Sequence, residues 1–190
     1  LRGVNITVGK LRWDSKIDRY WDQEFSEFEK YSAKADDLVI SMDGSLVGRN
    51  YGRVRKEDLP LLLVQRVACI RAKQSLILEY LSQIVGSSIF INYVDAVKTS
   101  SGIPHISAKN IKEFKISLPP LPEQQRIATI LSTVDEKIEV IDAQITQTRE
   151  LKKGLMQKLL TRGIGHTKFK DSVLGEIPES WEVKDFIDVM

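Results

Sequence analysis

The stretch that decides the fold is residues 122–163, PEQQRIATILSTVDEKIEVIDAQITQTRELKKGLMQKLLTRG. Its apolar residues fall at Ile127, Ile130, Leu131, Val134, Ile138, Ile141 and Ile145, then at Leu151, Leu155 and Leu159. From Leu131 to Ile145 the steps alternate between three and four, which keeps one narrow stripe on a helix turned toward a partner. Thr148 continues that stripe as a polar residue and Lys152 falls on it next. The seam therefore shifts to Leu151, Leu155 and Leu159, a break of the kind that locally unwinds a coiled coil. Pro122 suits a first helical position, Glu123 favours the positive end of the helix dipole, and Arg162-Gly163 closes the last turn. About forty helical residues at ~1.5 Å each make a rod of roughly 60 Å. A core helix of a globular fold is usually about 8–20 residues. The spacing thus predicts a spacer that packs on another such helix, with Ile127, Leu131, Val134, Ile138, Ile141, Ile145, Leu151, Leu155 and Leu159 as its pairing seam.

Working outward, residues 1–118 carry an excess of four positive charges and residues 164–190 an excess of three negative ones. The basic half weakly favours an anionic partner. No apolar run reaches the ~18–20 residues of a membrane span, so no membrane partner is expected. The single cysteine, Cys69, lies in the apolar run LLLVQRVACI and is expected as a small buried hydrophobe in a reducing cytoplasm. One cysteine cannot build a zinc site, and neither metal nor other cofactor is expected.

The chain opens on Leu1 and reads as beginning in mid-element, with Ile6 and Val8 alternating before a Gly9-Lys10 turn and a Leu11–Trp13 strand. Residues 24–34 suit a short helix. Asp36-Asp37-Leu-Val-Ile-Ser predicts a strand ending in the Gly44 and Gly48 turns. Leu59 to Ala72 predicts a continuous strand. Helical spacing returns over Ser75–Val85 and Ile89–Val97, followed by a flexible loop at Thr99-Ser100-Ser101-Gly102 and a last strand at Lys115–Leu118. Pro119-Pro120 stops the chain before the rod. After Gly163 a polar linker leads to WEVKDFIDV, expected as a new strand. The fold class is α+β, with a mixed α/β domain (1–118), one long coiled-coil helix (119–163) and a linker opening a further domain-like segment (164–190).

Gly102-Ile-Pro-His-Ile-Ser together with Ile116-Ser-Leu-Pro-Pro-Leu-Pro-Glu-Gln-Gln-Arg-Ile-Ala, the DDLVISMDGSLVGR segment (36–49) and Leu174-Gly-Glu-Ile-Pro-Glu-Ser-Trp-Glu-Val resemble the specificity subunits of Type I restriction–modification systems. The junction into the long helix is the specific signal and the other segments support it. The resemblance implies mixed α/β target recognition domains separated by helices that pair antiparallel. It implies a non-catalytic subunit that reads a bipartite double-stranded DNA target and carries the DNA methyltransferase and restriction/translocase subunits. The chain departs from that pattern in having one helix and about one domain, with the domain-opening IPESWEV at its C-terminus. A half-subunit or fragment is therefore expected, with an antiparallel homodimer replacing intramolecular pairing and a palindromic target replacing an asymmetric one.

Base edges need side-chain donors and acceptors, and phosphates need cations or backbone N–H groups. The densest basic cluster, Arg49, Asn50, Arg53, Arg55 and Lys56, straddles Tyr51 after a Gly-rich turn. Arg12, Lys16 and Arg19 flank Trp13 as a second candidate, and Lys98, Ser100 and His105 form a third. A solvated charged loop accounts for the first cluster as well as DNA contact does, and His105 suits a loop hydrogen-bonder better than a base reader. Catalysis finds little footing: His105 and His166 are the only histidines, and no HExxH, GxSxG or phosphate-loop pattern occurs. Asp36-Asp37 is explained more cheaply as a turn entering a strand than as a catalytic pair. A coiled-coil interaction protein without DNA specificity is the alternative.

Overall fold

The computed structural model describes residues 1–22, 26–100 and 102–190. The chain divides into two compact units, Leu1–Thr133 and Val134–Met190, each described on its own.

The first unit is built on β2 (Leu38–Ser41), every residue of which is buried. Its β-branched run suits a strand covered on both faces. Leu38 and Ile40 point into one apolar cluster, with Val47, Leu78, Leu81, Val85, Phe90, Val94 and Ile106. Val39, one residue out of phase, points into another with Ile6, Ala33, Val54 and Leu61. Around β2 lie β3 (Tyr51–Arg53), β4 (Val67–Ile70) and the short β1 (Val8–Gly9), in the order β1-β3-β2-β4. β2 is antiparallel to both neighbours, in registers Ile40↔Tyr51 and Ser41↔Val67, while β1 runs parallel to β3.

The helices expected over 75–85 and 89–97 are α1 (Leu78–Gly86) and α2 (Ser88–Val97). Their apolar faces supply most of the first cluster. Gly86 is required where it is, because a Cβ there would lie 2.2 Å from the Tyr51 hydroxyl. A short α3 (Ala108–Glu113) starts on a Ser107–Asn110 capping box. Phe114 then packs edge-on to Phe90, with ring centroids 5.0 Å apart.

The long helix α4 runs from Leu121 to Arg162, 42 residues, starting one residue before the Pro122 that the sequence favoured. Within the first unit its opening turns are anchored by Gln124 and Ala128, both buried. Gln124 accepts the Ile77 N–H at 2.9 Å and donates to the carbonyls of Ser75 and Pro119 at 3.0 and 2.8 Å. In the second unit every residue of the helix up to Arg162 is exposed, including Ile138, Ile141 and Ile145 of the predicted seam. There β5 (Phe169–Ser172) and β6 (Gly175–Pro178) form an antiparallel hairpin in register Ser172↔Gly175. Arg162 pairs with Glu176 at 2.9 Å and lies over the Phe169 ring.

Several expected elements are corrected. The strand over Leu59–Ala72 shrinks to β4, because Pro60 has no N–H for a ladder and Arg66, at φ 72°, turns the chain. Leu11–Trp13 contributes only a bridge from Leu11 to Ile6. Lys115–Leu118 forms no ladder; the Tyr80 hydroxyl holds this segment by its Ser117 carbonyl at 3.0 Å. The strand expected at WEVKDFIDV is replaced by the upstream hairpin, since Gly175 at φ 93° supplies the turn between β5 and β6. Phe186 and Ile187 stay exposed. Cys69 is exposed rather than buried, since it sits on the edge strand β4. The short helix expected over 24–34 is a 3₁₀ segment at Ser26–Tyr31; residues 24 and 25, and Ser101 of the expected 99–102 loop, lie outside the described residues.

Candidate nucleic-acid interface

The Arg49–Lys56 run is contiguous in sequence but not in space, because β3 carries its two halves to opposite ends of the sheet. Arg49 and Asn50 lie beside the C-terminal end of β2, where the Ser41 N–H donates to the Asn50 carbonyl at 2.9 Å. Arg53, by contrast, pairs in register with Leu38 at the other end.

The first end is a convergence of loops. The Gly44 N–H donates to the Pro104 carbonyl at 3.0 Å and Asp43 bridges His105. The Met42 N–H donates to Arg66 O and the Ile106 N–H to Met42 O. This brings His105 to the β2 end that holds Arg49 and Asn50. Thr99 binds His105 twice: its hydroxyl accepts the His105 N–H at 3.1 Å and sits 3.0 Å from Nδ1. The Lys98–Ser100 segment is held there by the Thr99 N–H donating to His105 O. Asp95 joins this group unannounced by the sequence. Arg49 grips it through both carboxylate oxygens, at 3.1 and 2.6 Å, and Lys98 reaches it at 2.7 Å. Those hydrogen bonds, Arg49 first and Lys98 second, hold its carboxyl down at about 2.

At the other end the candidate cations are largely neutralised. Arg53 pairs with Asp36 and Glu79 at 2.6 and 2.7 Å, and Arg55 with Glu57 at 3.6 Å. The Asp36-Asp37 pair is structural: Asp36 holds Arg53, while buried Asp37 takes a bidentate hydrogen bond from Arg71 at 2.7 and 2.6 Å. Lys56 opens the 3₁₀ turn Lys56–Asp58, whose Asp58 accepts the Trp13 indole N–H at 2.6 Å. Arg12 and Arg19 spend hydrogen bonds on the carbonyls of Val4 and Asp18, and the Lys16 backbone on Asp14. Of these cations only Arg19 lines the neighbouring aromatic cleft of about 680 Å³, with Trp13, Tyr20, Trp21, Phe28 and Tyr31.

Exposed ion pairs of this kind contribute little to stability and exchange readily for a phosphate. Of the three clusters, the third and the leading half of the first are brought together; Arg53, Arg55 and Lys56 are not part of that surface. Sequence reasoning missed Gln65 and Arg66, which share the first end. Their signal was the polar dipeptide interrupting LLLVQRVACI, absorbed there into an apolar strand. Among the described residues no group of three or more His, Cys, Asp or Glu side chains could hold a metal ion, and no helix is long and apolar enough to cross a membrane.

A small α/β domain with polar loops at one sheet end is fastened by a buried glutamine to a long helix with an exposed apolar stripe. Residues 12–150 match the family described as Type I restriction modification DNA specificity domain, and the chain belongs to that family. The match includes β2, β3, β4 and most of α4. It is 36% identical over 158 residues to the Type I restriction enzyme MjaVIII specificity subunit of Methanocaldococcus jannaschii, covering 81% of this chain and 36% of that one. It is likewise 36% identical over 142 residues to the EcoAI specificity subunit of Escherichia coli, covering 73% and 23%. The chain thus spans about a quarter to a third of the length of these relatives. A chain from a structure concerned with complex assembly and conformational transition of the type I R-M system shares the fold, with a TM-score of 0.53 at 23% identity over 67% of this chain and 31% of that one.

Proposed function

We propose that this chain is a non-catalytic DNA-reading component of a cytoplasmic Type I restriction–modification complex. Its α/β domain reads one half-site in double-stranded DNA, and α4 pairs antiparallel with the α4 of a second copy. The resulting homodimer carries the methyltransferase and restriction/translocase subunits, as the specificity-subunit relatives suggest. The observation that carries this reading is the welding of α4 to the domain through Gln124, followed by a helix whose apolar seam is left exposed. An exposed seam of this length is an unmet packing demand in a single copy. The alternative, a coiled-coil protein without DNA specificity, shares the seam but gives no role to the loops gathered around His105.

Two measurements on the full chain test the reading. Light scattering at micromolar concentration is expected to give twice the chain mass. Duplex binding is expected to be sequence-selective and to weaken steeply with salt. A dimer that binds every duplex alike would favour the alternative, and a monomer would remove the pairing.

A further inference from the structure

We propose that Arg66, with Gln65 beside it, reads base edges in the DNA half-site; this rests on the DNA-reading function proposed above. Every other arginine before α4 is engaged. Arg49, Arg53, Arg55 and Arg71 are in ion pairs, and Arg2, Arg12 and Arg19 donate to backbone carbonyls. Among the described residues Arg66 alone of this set has no acceptor for its guanidinium, and both it and Gln65 are exposed.

Its backbone, in contrast, is fixed. The Arg66 carbonyl accepts the Met42 N–H at 2.8 Å, and the next residue, Val67, is in register with Ser41 of the fully buried β2. At φ 72° Arg66 occupies the left-handed region, where a side chain with a Cβ is uncommon and glycine is favoured. An arginine at a backbone position that suits glycine better points to a use for the side chain. A rigid root with a free planar head is what base readout needs, since bidentate contacts tolerate little misplacement. Phosphate contacts do not need it. Arg matches guanine O6 and N7, and Gln matches adenine N6 and N7. The backbone of the pair also sits at the sheet end already assembled from Asn50 and His105.

The test uses the full chain, a pool of randomised duplexes and sequencing of the bound fraction. Arg66→Gly removes the guanidinium while giving the left-handed position its favoured residue, so its melting temperature should not fall. The wild type is expected to enrich a half-site with guanine fixed at one position. R66G should lose that preference, with discrimination falling roughly tenfold to a hundredfold at that position and the other positions unchanged. Arg66→Lys keeps the charge and loses the fork, so it should also relax that position while keeping the salt dependence. If R66G and R66K enrich the same half-site as the wild type with the same discrimination, Arg66 is not a reader. Uniform weakening across all sequences with a shallower salt slope would make it a phosphate contact and overturn the inference too. A wild type that enriches nothing overturns the DNA-reading function itself, and the inference with it.

Discussion

The Gln124 side-chain carbonyl accepts the Ile77 backbone N–H at 2.9 Å, joining the start of the long helix α4 to the residue that precedes α1. Ile77 has no side chain able to cap, so the first turn of α1 draws on a group 47 residues away. The same amide gives both N–H bonds to the carbonyls of Ser75 and Pro119, and Gln124 is fully buried. Gln124→Leu would preserve bulk and strand three backbone groups. We expect a loss of about 2–4 kcal/mol in the urea unfolding of the first unit, from desolvated groups left without partners. Gln125→Leu, exposed one residue on, should stay within about 0.5 kcal/mol. Equal effects at the two positions would show that the buried amide is not what ties α4 to the domain.

How much of this was legible beforehand depends on which physical signal each part carries. The long helix, α1 and α2 announce themselves through local apolar spacing, and β2 through its β-branched run. The Gln124 anchor carries no such signal, because in PEQQRIA two adjacent glutamines look alike and only tertiary packing distinguishes them. The spatial grouping of the candidate site residues carries no local signal either. Arg49 to Lys56 looked like one patch because sequence hides the three-residue strand that separates its halves. Asp95, which neutralises Arg49, lies 46 residues away on α2. The Leu59–Ala72 run was misread because apolar content outweighed Pro60 and the Gln65-Arg66 turn.

Charge on the exposed seam of α4 tests the pairing. Ile138 and Ile141 are each about half-exposed and lie on the three-four stripe, whereas Val140 is similarly exposed but off it. Ile138→Asp with Ile141→Asp should dissociate the proposed dimer, shifting its dissociation constant by a hundredfold or more. Val140→Asp should leave it intact. The check is analytical ultracentrifugation over a concentration series. A double mutant that stays dimeric while Val140→Asp dissociates would relocate the seam.

The buried carboxylate of Asp37 predicts a pH dependence. Burial pushes its pKa up, but the hydrogen bonds from Arg71, then the Lys34 N–H, and the Cys69 thiol outweigh it, leaving the value below the ordinary one. The folded state therefore binds this proton less readily than the unfolded state. The stabilisation is complete above the unfolded value of about 4 and is lost as pH falls through the lower folded value. Asp37→Asn should cost about 1–3 kcal/mol at pH 7, discounted because the Arg71 side chain is half-exposed. That difference should shrink below pH about 4. Urea unfolding at pH 7, 5, 4 and 3 measures it; a gap between the two proteins that widens toward acid would contradict the assignment.

In the proposed dimer, α4 is a ruler. In an antiparallel pair with a recognition domain fastened to the start of each helix by Gln124, helix length sets the separation of the two domains and hence of the DNA half-sites. Seven residues inserted after Ile145 add one heptad and keep the phase of the stripe. The helix then lengthens by ~10 Å at ~1.5 Å per residue. With a rise of roughly 3.4 Å per base pair, the half-sites should move apart by about three base pairs or slightly fewer. Their sequences should not change, because none of the loops around His105 or Arg66 is touched. Bending or twisting of the DNA absorbs part of such a shift, so its direction is the firmer expectation. Mapping of methylated sites in cells co-expressing the partner methyltransferase with either the wild-type or the lengthened chain reads the spacing directly. A lengthened chain that remains dimeric and active but modifies sites at the original spacing would mean that something other than α4 sets the distance.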